Sequence, residues 1–248
     1  DRVKEPPTQA TLLGTTVHSA LENLYAAPRM QRDEALAHNL LEREWKATLE
    51  QDPAVMNLFQ DHADFERWYA RMRSMISNYF QIEEPRALEP YSREALVEGT
   101  TQDGVHLFGY IDRVDRAPNG DLRVIDYKTG KAPSERFQEE ALFQMRFYAL
   151  LLSLTERLPK RTQLVYLASQ KVLTFDPDPA DIDRLSAQLS TLWEQIRNDA
   201  VKEYFPPRKN PLCNWCGVQQ LCPLFNGESP KIPQEGLERL LAVGPASR

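Results

Sequence analysis

The stretch from Phe108 to Lys131 constrains this chain most: Phe-Gly-Tyr-Ile-Asp-Arg-Val-Asp-Arg-Ala-Pro-Asn-Gly-Asp-Leu-Arg-Val-Ile-Asp-Tyr-Lys-Thr-Gly-Lys. Two alternating segments flank a turn signal, which is the pattern of a β-hairpin. In the second segment Leu122, Val124, Asp126 and Lys128 share one parity. Strand side chains alternate faces, so the acid and the amine emerge on the same side. An apolar face therefore ends in a charged pair.

The turn decides which first-strand residue meets that pair. In Ala117-Pro118-Asn119-Gly120, proline suits the second position of a type I turn, asparagine the third, and glycine the left-handed position that follows. This three-residue loop with a glycine bulge pairs Ala117 with Asp121 and sets Asp112 opposite Asp126. A two-residue Asn119-Gly120 turn would instead pair Asp112 with Tyr127 and point the acids to opposite faces. The proline favours the bulged loop. Two adjacent carboxylates raise the cost of ionising one another unless a cation sits between them. Magnesium takes oxygen ligands of this kind together with water and substrate phosphate, and a neighbouring lysine can orient the attacking water. The chemistry suggested is phosphodiester hydrolysis. The competing reading is a solvated hairpin whose Asp126 and Lys128 form a weak surface ion pair.

Gly109-Tyr110-Ile111-Asp112-Arg113 followed by Val124-Ile125-Asp126-Tyr127-Lys128-Thr129-Gly130 closely resembles the RecB-type nucleases of the PD-(D/E)XK superfamily. Three further segments fit in family order. Gly14-Thr15-Thr16-Val17-His18 with Leu21-Glu22 resembles the histidine-bearing helix, Gln144 to Tyr148 the Gln-x-x-x-Tyr helix, and Cys213, Cys216 and Cys222 the C-terminal iron-sulfur cysteines. The resemblance implies an α/β fold with a restriction-endonuclease-like mixed β-sheet core flanked by helices. It also implies Mg²⁺ or Mn²⁺ held by His18, Asp112, Asp126 and the Tyr127 carbonyl, with Asp112, Asp126 and Lys128 catalytic. Gln144, Tyr148 and Thr129 would hold DNA, with single strands among the candidate substrates, and Arg113 joins them as a DNA-binding candidate on its charge.

Local patterns place these residues on elements. Val17, Leu21, Leu24 and Tyr25 form a helical stripe from Gly14 to Tyr25, with Thr15 or Thr16 as the expected N-cap. His18 alone would read as a structural histidine; the resemblance makes it a metal ligand. Residues 32 to 79 read as two or three helices broken near Asp52-Pro53. A strand is expected over Glu94 to Gly99, a helix from about Glu135 to Leu158, and strands over Gln163 to Leu167 and Val172 to Phe175. A long helix follows from about Ala180 to Glu203. Gln144 and Tyr148, four apart, share a helix face. These boundaries suggest an N-terminal helical region over 1–90, a nuclease core over 91–205, a cysteine segment over 206–226, and a linker with tail over 227–248.

With 248 residues, 42% of them hydrophobic, the chain can bury a substantial core. No stretch is apolar enough to cross a bilayer, and a cytoplasmic protein is expected. The net charge of -6 argues against a broad basic DNA-binding surface. A local wall from Arg113, Arg116, Arg123, Lys128 and Lys131 is the alternative. Cys213, Cys216 and Cys222 suit a [4Fe-4S] cluster, although zinc accepts thiolates too. Three ligands are one short, and the resemblance places the fourth cysteine upstream of the first residue here. The expected activity is a metal-dependent DNA nuclease, an exonuclease acting in DNA repair or recombination. The rival is a non-catalytic DNA-binding or structural subunit of a helicase-nuclease complex. No Gly-x-x-x-x-Gly-Lys-Ser/Thr loop occurs, so unwinding would come from a separate helicase.

Overall fold

The computed structural model describes residues 6–134 and 138–244. The chain forms two compact units, one of 7–99 with 108–182, the other of 100–107 with the chain from 183 onward. The first unit begins with three helices: α1 (Gln9–Ala26), α2 (Glu34–Gln51) and α3 (His62–Ile82). Thr8, not Thr15 or Thr16, caps α1, accepting from the Thr11 amide in a reciprocal capping box. The expected caps lie mid-helix, where Thr15 and Thr16 donate their hydroxyls to the Thr11 and Leu12 carbonyls. The break near Asp52-Pro53 falls as expected, because Asp52 ends α2 and its side chain caps the short 3-10 helix Pro53–Leu58.

Five strands make one mixed sheet in the order β1 (Pro90–Thr100), β2 (His106–Arg116), β3 (Leu122–Lys128), β4 (Arg161–Tyr166), β5 (Lys171–Phe175). β3 and β4 run parallel, which requires a crossover, and α4 (Glu139–Thr155) supplies it. The expected start of this helix near Glu135 lies outside the described residues. Leu13, Val17 and Leu21 of α1, Leu41 of α2, and Met72 and Ile76 of α3 share one core with Ile125, Tyr127 and Val165 of the sheet. The helices of 1–90 and the sheet are thus a single packing unit. In the second unit α5 (Pro179–Val201) continues from residue 183, and α6 (Gln234–Leu241) follows a run of 3-10 turns.

The turn chemistry sets the hairpin register. Ala117 donates its amide to the Asp121 carbonyl at 2.9 Å, Gly120 donates to the Ala117 carbonyl, and Gly120 takes φ +86°, a conformation open to glycine. The β2–β3 ladder pairs Arg116 with Leu122, Asp115 with Arg123, Val114 with Val124 and Arg113 with Ile125. Past Arg113 and Ile125 the ladder gives way to a side-chain contact, the Tyr127 amide donating to Asp112 Oδ2 at 2.6 Å.

At that step β2 leaves regular alternation. A Cβ on Gly109 would touch Leu151, Tyr148 and Phe147, so this position faces α4. Val114 pairs with Val124, whose face also carries Asp126 and its α4 partners Gln144 and Tyr148. Residues 109 and 114 differ by an odd number, and strict alternation would set them on opposite faces. The strand therefore departs from strict alternation between Gly109 and Val114, in the stretch that holds Asp112. β1 has its own irregularity at Glu94, whose φ of +41° is a conformation a non-glycine residue adopts rarely and at some cost.

Candidate active site

β3 presents Asp126 and Lys128 on one face, as its parity requires. The Asp126 carboxylate is buried at 3% exposure. Its Oδ1 accepts from the Tyr148 hydroxyl at 2.9 Å and from Gln144 Nε2 at 3.2 Å, while Gln144 also donates to the Tyr148 oxygen. Lys128 Nζ lies 2.7 Å from Oδ2, a close ion pair on the oxygen that Tyr148 and Gln144 leave open. Gln144 and Tyr148 share a helix face as expected. Their side chains are engaged on Asp126, and Tyr148 is too buried to offer its ring to a ligand.

Asp112 turns toward α1. Its Oδ2 accepts the Tyr127 amide at 2.6 Å and lies 3.4 Å from His18 Nδ1. The same imidazole nitrogen stands 4.0 Å from Glu94 Oε1. Ligand atoms of His18, Glu94 and Asp112 all lie within 4.8 Å of one another. The two carboxylates suit a hard divalent ion such as Mg²⁺ or Mn²⁺, and the imidazole adds a donor of the kind transition metals take. Asp126 stands beside this group rather than within it. Glu94 was not legible in the sequence, since one acid in a strand with other acids gives no pattern. The backbone kink that aims it has no residue signature.

The electrostatics reflect this crowding. Burial, then the charge of Asp112, push the Asp126 carboxyl up, against the pull of Lys128. Burial, then Asp112, likewise push Glu94 up. At His18 burial opposes the charged form, but Asp112, Asp126 and Glu94 outweigh it and raise the imidazole above its ordinary range. All three groups hold protons more tightly folded than unfolded. Their contribution to stability is thus complete at low pH. It falls for the carboxyls as pH rises from about 4 through their raised values, and for His18 as pH rises above about 6.5. A divalent ion binds the deprotonated forms. The melting-temperature gain from saturating Mg²⁺ or Mn²⁺ should therefore be larger near pH 8 than near pH 6, and Glu94→Gln should shrink it. A gain independent of pH in scanning calorimetry would show that no ion binds at these groups.

The family model for the PD-(D/E)XK nuclease superfamily matches residues 1–223. The chain belongs to this superfamily. The Gene 69 protein of Mycobacterium phage L5 is 31% identical over 127 residues, covering 50% of this chain and 41% of the phage protein. The Gene 69 protein of Mycobacterium phage D29 is 29% identical over 127 residues, covering 50% of this chain and 45% of its own. The match thus spans less than half the length of these curated relatives. A crystal structure of a "Putative exonuclease" from Eubacterium rectale aligns over 97% of this chain and 82% of its own. Its TM-score is 0.53 at 12% identity, a likeness of fold.

Within this PD-(D/E)XK chain two expectations need correction. Arg113 is 1% exposed and cannot reach DNA. It donates to both Glu83 carboxylate oxygens at 2.7 and 2.8 Å, to Asp115, and to the phenols of Tyr25 and Tyr127. The three cysteine sulfurs do not converge: among the described residues the one group gathered closely enough to hold an ion is His18, Glu94 and Asp112. Cys213, Cys216 and Cys222 are free thiols among locally hydrogen-bonded 3-10 turns, and this arrangement does not fit a shared cluster. Thr129 does lie at the site's edge. A Cβ on Gly14 would sit 3.5 Å from its hydroxyl, and Arg71 donates to its carbonyl at 3.4 Å. No helix among the described residues is long and apolar enough to cross a membrane.

Proposed function

We infer that this protein is a metal-dependent DNA nuclease that hydrolyses phosphodiester bonds, acting as an exonuclease. One observation carries the reading: His18, Glu94 and Asp112 gather their ligand atoms beside the Asp126–Lys128 pair. When bound there, Mg²⁺ or Mn²⁺ would polarise a phosphoryl oxygen and make water more acidic. The protein's own residues do the rest. Tyr148 and Gln144 hold Asp126 through Oδ1 and leave Oδ2 toward the reacting side. Lys128 keeps its ammonium beside that oxygen, where it can position water and stabilise charge developing on the phosphate. The Tyr127 carbonyl would supply a further oxygen ligand when the ion is bound, and Thr129 would border the DNA path.

The "Putative exonuclease" neighbour and the superfamily support the exonuclease reading, and the resemblance to RecB-type enzymes supports DNA repair or recombination beside a separate helicase. The alternative of a non-catalytic binding subunit is disfavoured by the intact set of Asp112, Asp126 and Lys128. End-labelled single- and double-stranded DNA incubated with the protein should shorten with Mg²⁺ or Mn²⁺ and stay intact with EDTA. Intact DNA in both metals would remove the nuclease reading.

A further inference from the structure

A cavity of about 500 Å³ shares His18 and Glu94 with the metal-ligand group and extends past them along α1. Its walls include Thr15, His18, Ser19 and Glu22 of α1, Glu94 of β1 and Tyr110 of β2. Residues 15, 18, 19 and 22 form one stripe at helical spacing, polar where the opposite stripe of Leu13, Val17, Leu21 and Leu24 enters the core. Tyr110 is 59% exposed at the rim. It lies two residues before Asp112, roughly 7 Å along the strand. An exposed aromatic ring thus stands one step from a carboxylate of the metal-ligand group.

We propose that this cavity is a subsite for one unpaired nucleobase, stacked on Tyr110, belonging to the nucleotide next to the phosphate that is cut. The proposal rests on the nuclease reading and names its substrate class, strands with unpaired bases. Three observations favour a base over the other occupants of such a cavity. Beyond the metal ligands its lining adds the carboxylate of Glu22 and neither lysine nor arginine, so it offers a second phosphate no cation of its own. Its polar wall offers acceptors that suit the amino edge of a base and not an apolar side chain. Finally, the chain's net charge of -6 denies it the phosphate neutralisation on which most DNA affinity depends. Stacking needs no cation and tolerates every base, and it demands a base that has left the duplex.

The test uses the full chain carrying Lys128→Ala, so that cleavage does not interfere, with Mg²⁺ present. Affinity for a short fluorescein-labelled single strand and for a blunt hairpin duplex is read by anisotropy. Adding Tyr110→Ala should weaken single-strand binding about tenfold or more, while Tyr110→Phe should restore it to within about twofold. Duplex affinity should be the same in all three proteins. The proposal is overturned if Tyr110→Ala binds the single strand as its parent does, if phenylalanine fails to rescue, or if the parent does not bind single strands. Cleavage by the unmutated protein is a separate reading, so a failure of this subsite is distinguishable from a failure of the nuclease assignment.

Discussion

Asp126→Asn is expected to lower metal-dependent cleavage by at least about 10³-fold, and Lys128→Ala by about 10²–10³-fold, the cost of losing one preorganised charged group. The two changes should act differently on stability. Asparagine is isosteric with aspartate, and its oxygen can still accept from Tyr148 and Gln144. Because burial and Asp112 oppose ionisation of Asp126, the uncharged variant should melt no lower than the parent at neutral pH without metal. Removing Lys128 leaves a buried carboxylate without its cation, 2.7 Å away in the parent, and should lower the melting temperature. Single-turnover cleavage of end-labelled DNA, beside scanning calorimetry, reads both effects. If either variant cleaves within about tenfold of the parent, the assignment of catalysis to this pair is lost.

The hairpin was legible because one local signal, Pro118-Asn119-Gly120, is nearly sufficient to choose a turn type, and the turn propagates its register along the ladder. The element order followed from hydrophobic periodicity in the same way. What stayed hidden is non-local or irregular. The turn of Asp112 toward His18 has no glycine or proline to announce it, and Glu94 takes its positive φ although nothing in Ser92-Arg93-Glu94 requests it. The spacing of Gln144 and Tyr148 predicted a shared face, but which atoms that face meets depends on how α4 packs on β3. The cysteine spacing shows that three thiols are near in sequence, and spacing alone cannot fold the turns that would bring them together.

Arg113 is the sharpest case. In the sequence it reads as a surface cation beside an acid, whereas in the fold its partners come from 30 and 88 residues away, Glu83 at the end of α3 and Tyr25 in α1. Arg113→Ala should destabilise the protein by about 3–5 kcal/mol, the usual cost of stranding one partner of a buried ion pair. For a chain of this size that is a fall of roughly 6–20 °C. The carboxylates it serves are nearly buried, and Arg123, 2.6 Å from Asp115 but partly exposed, cannot replace its contacts with both Glu83 oxygens. Lysine should rescue little, since a single ammonium cannot match the two-pronged geometry. DNA affinity of the folded fraction should change little at low temperature. The opposite result, an unchanged urea midpoint with lost DNA binding, would return Arg113 to the DNA surface. It would also mean that the network joining α1, α3 and the β2–β3 hairpin does not hold them in register.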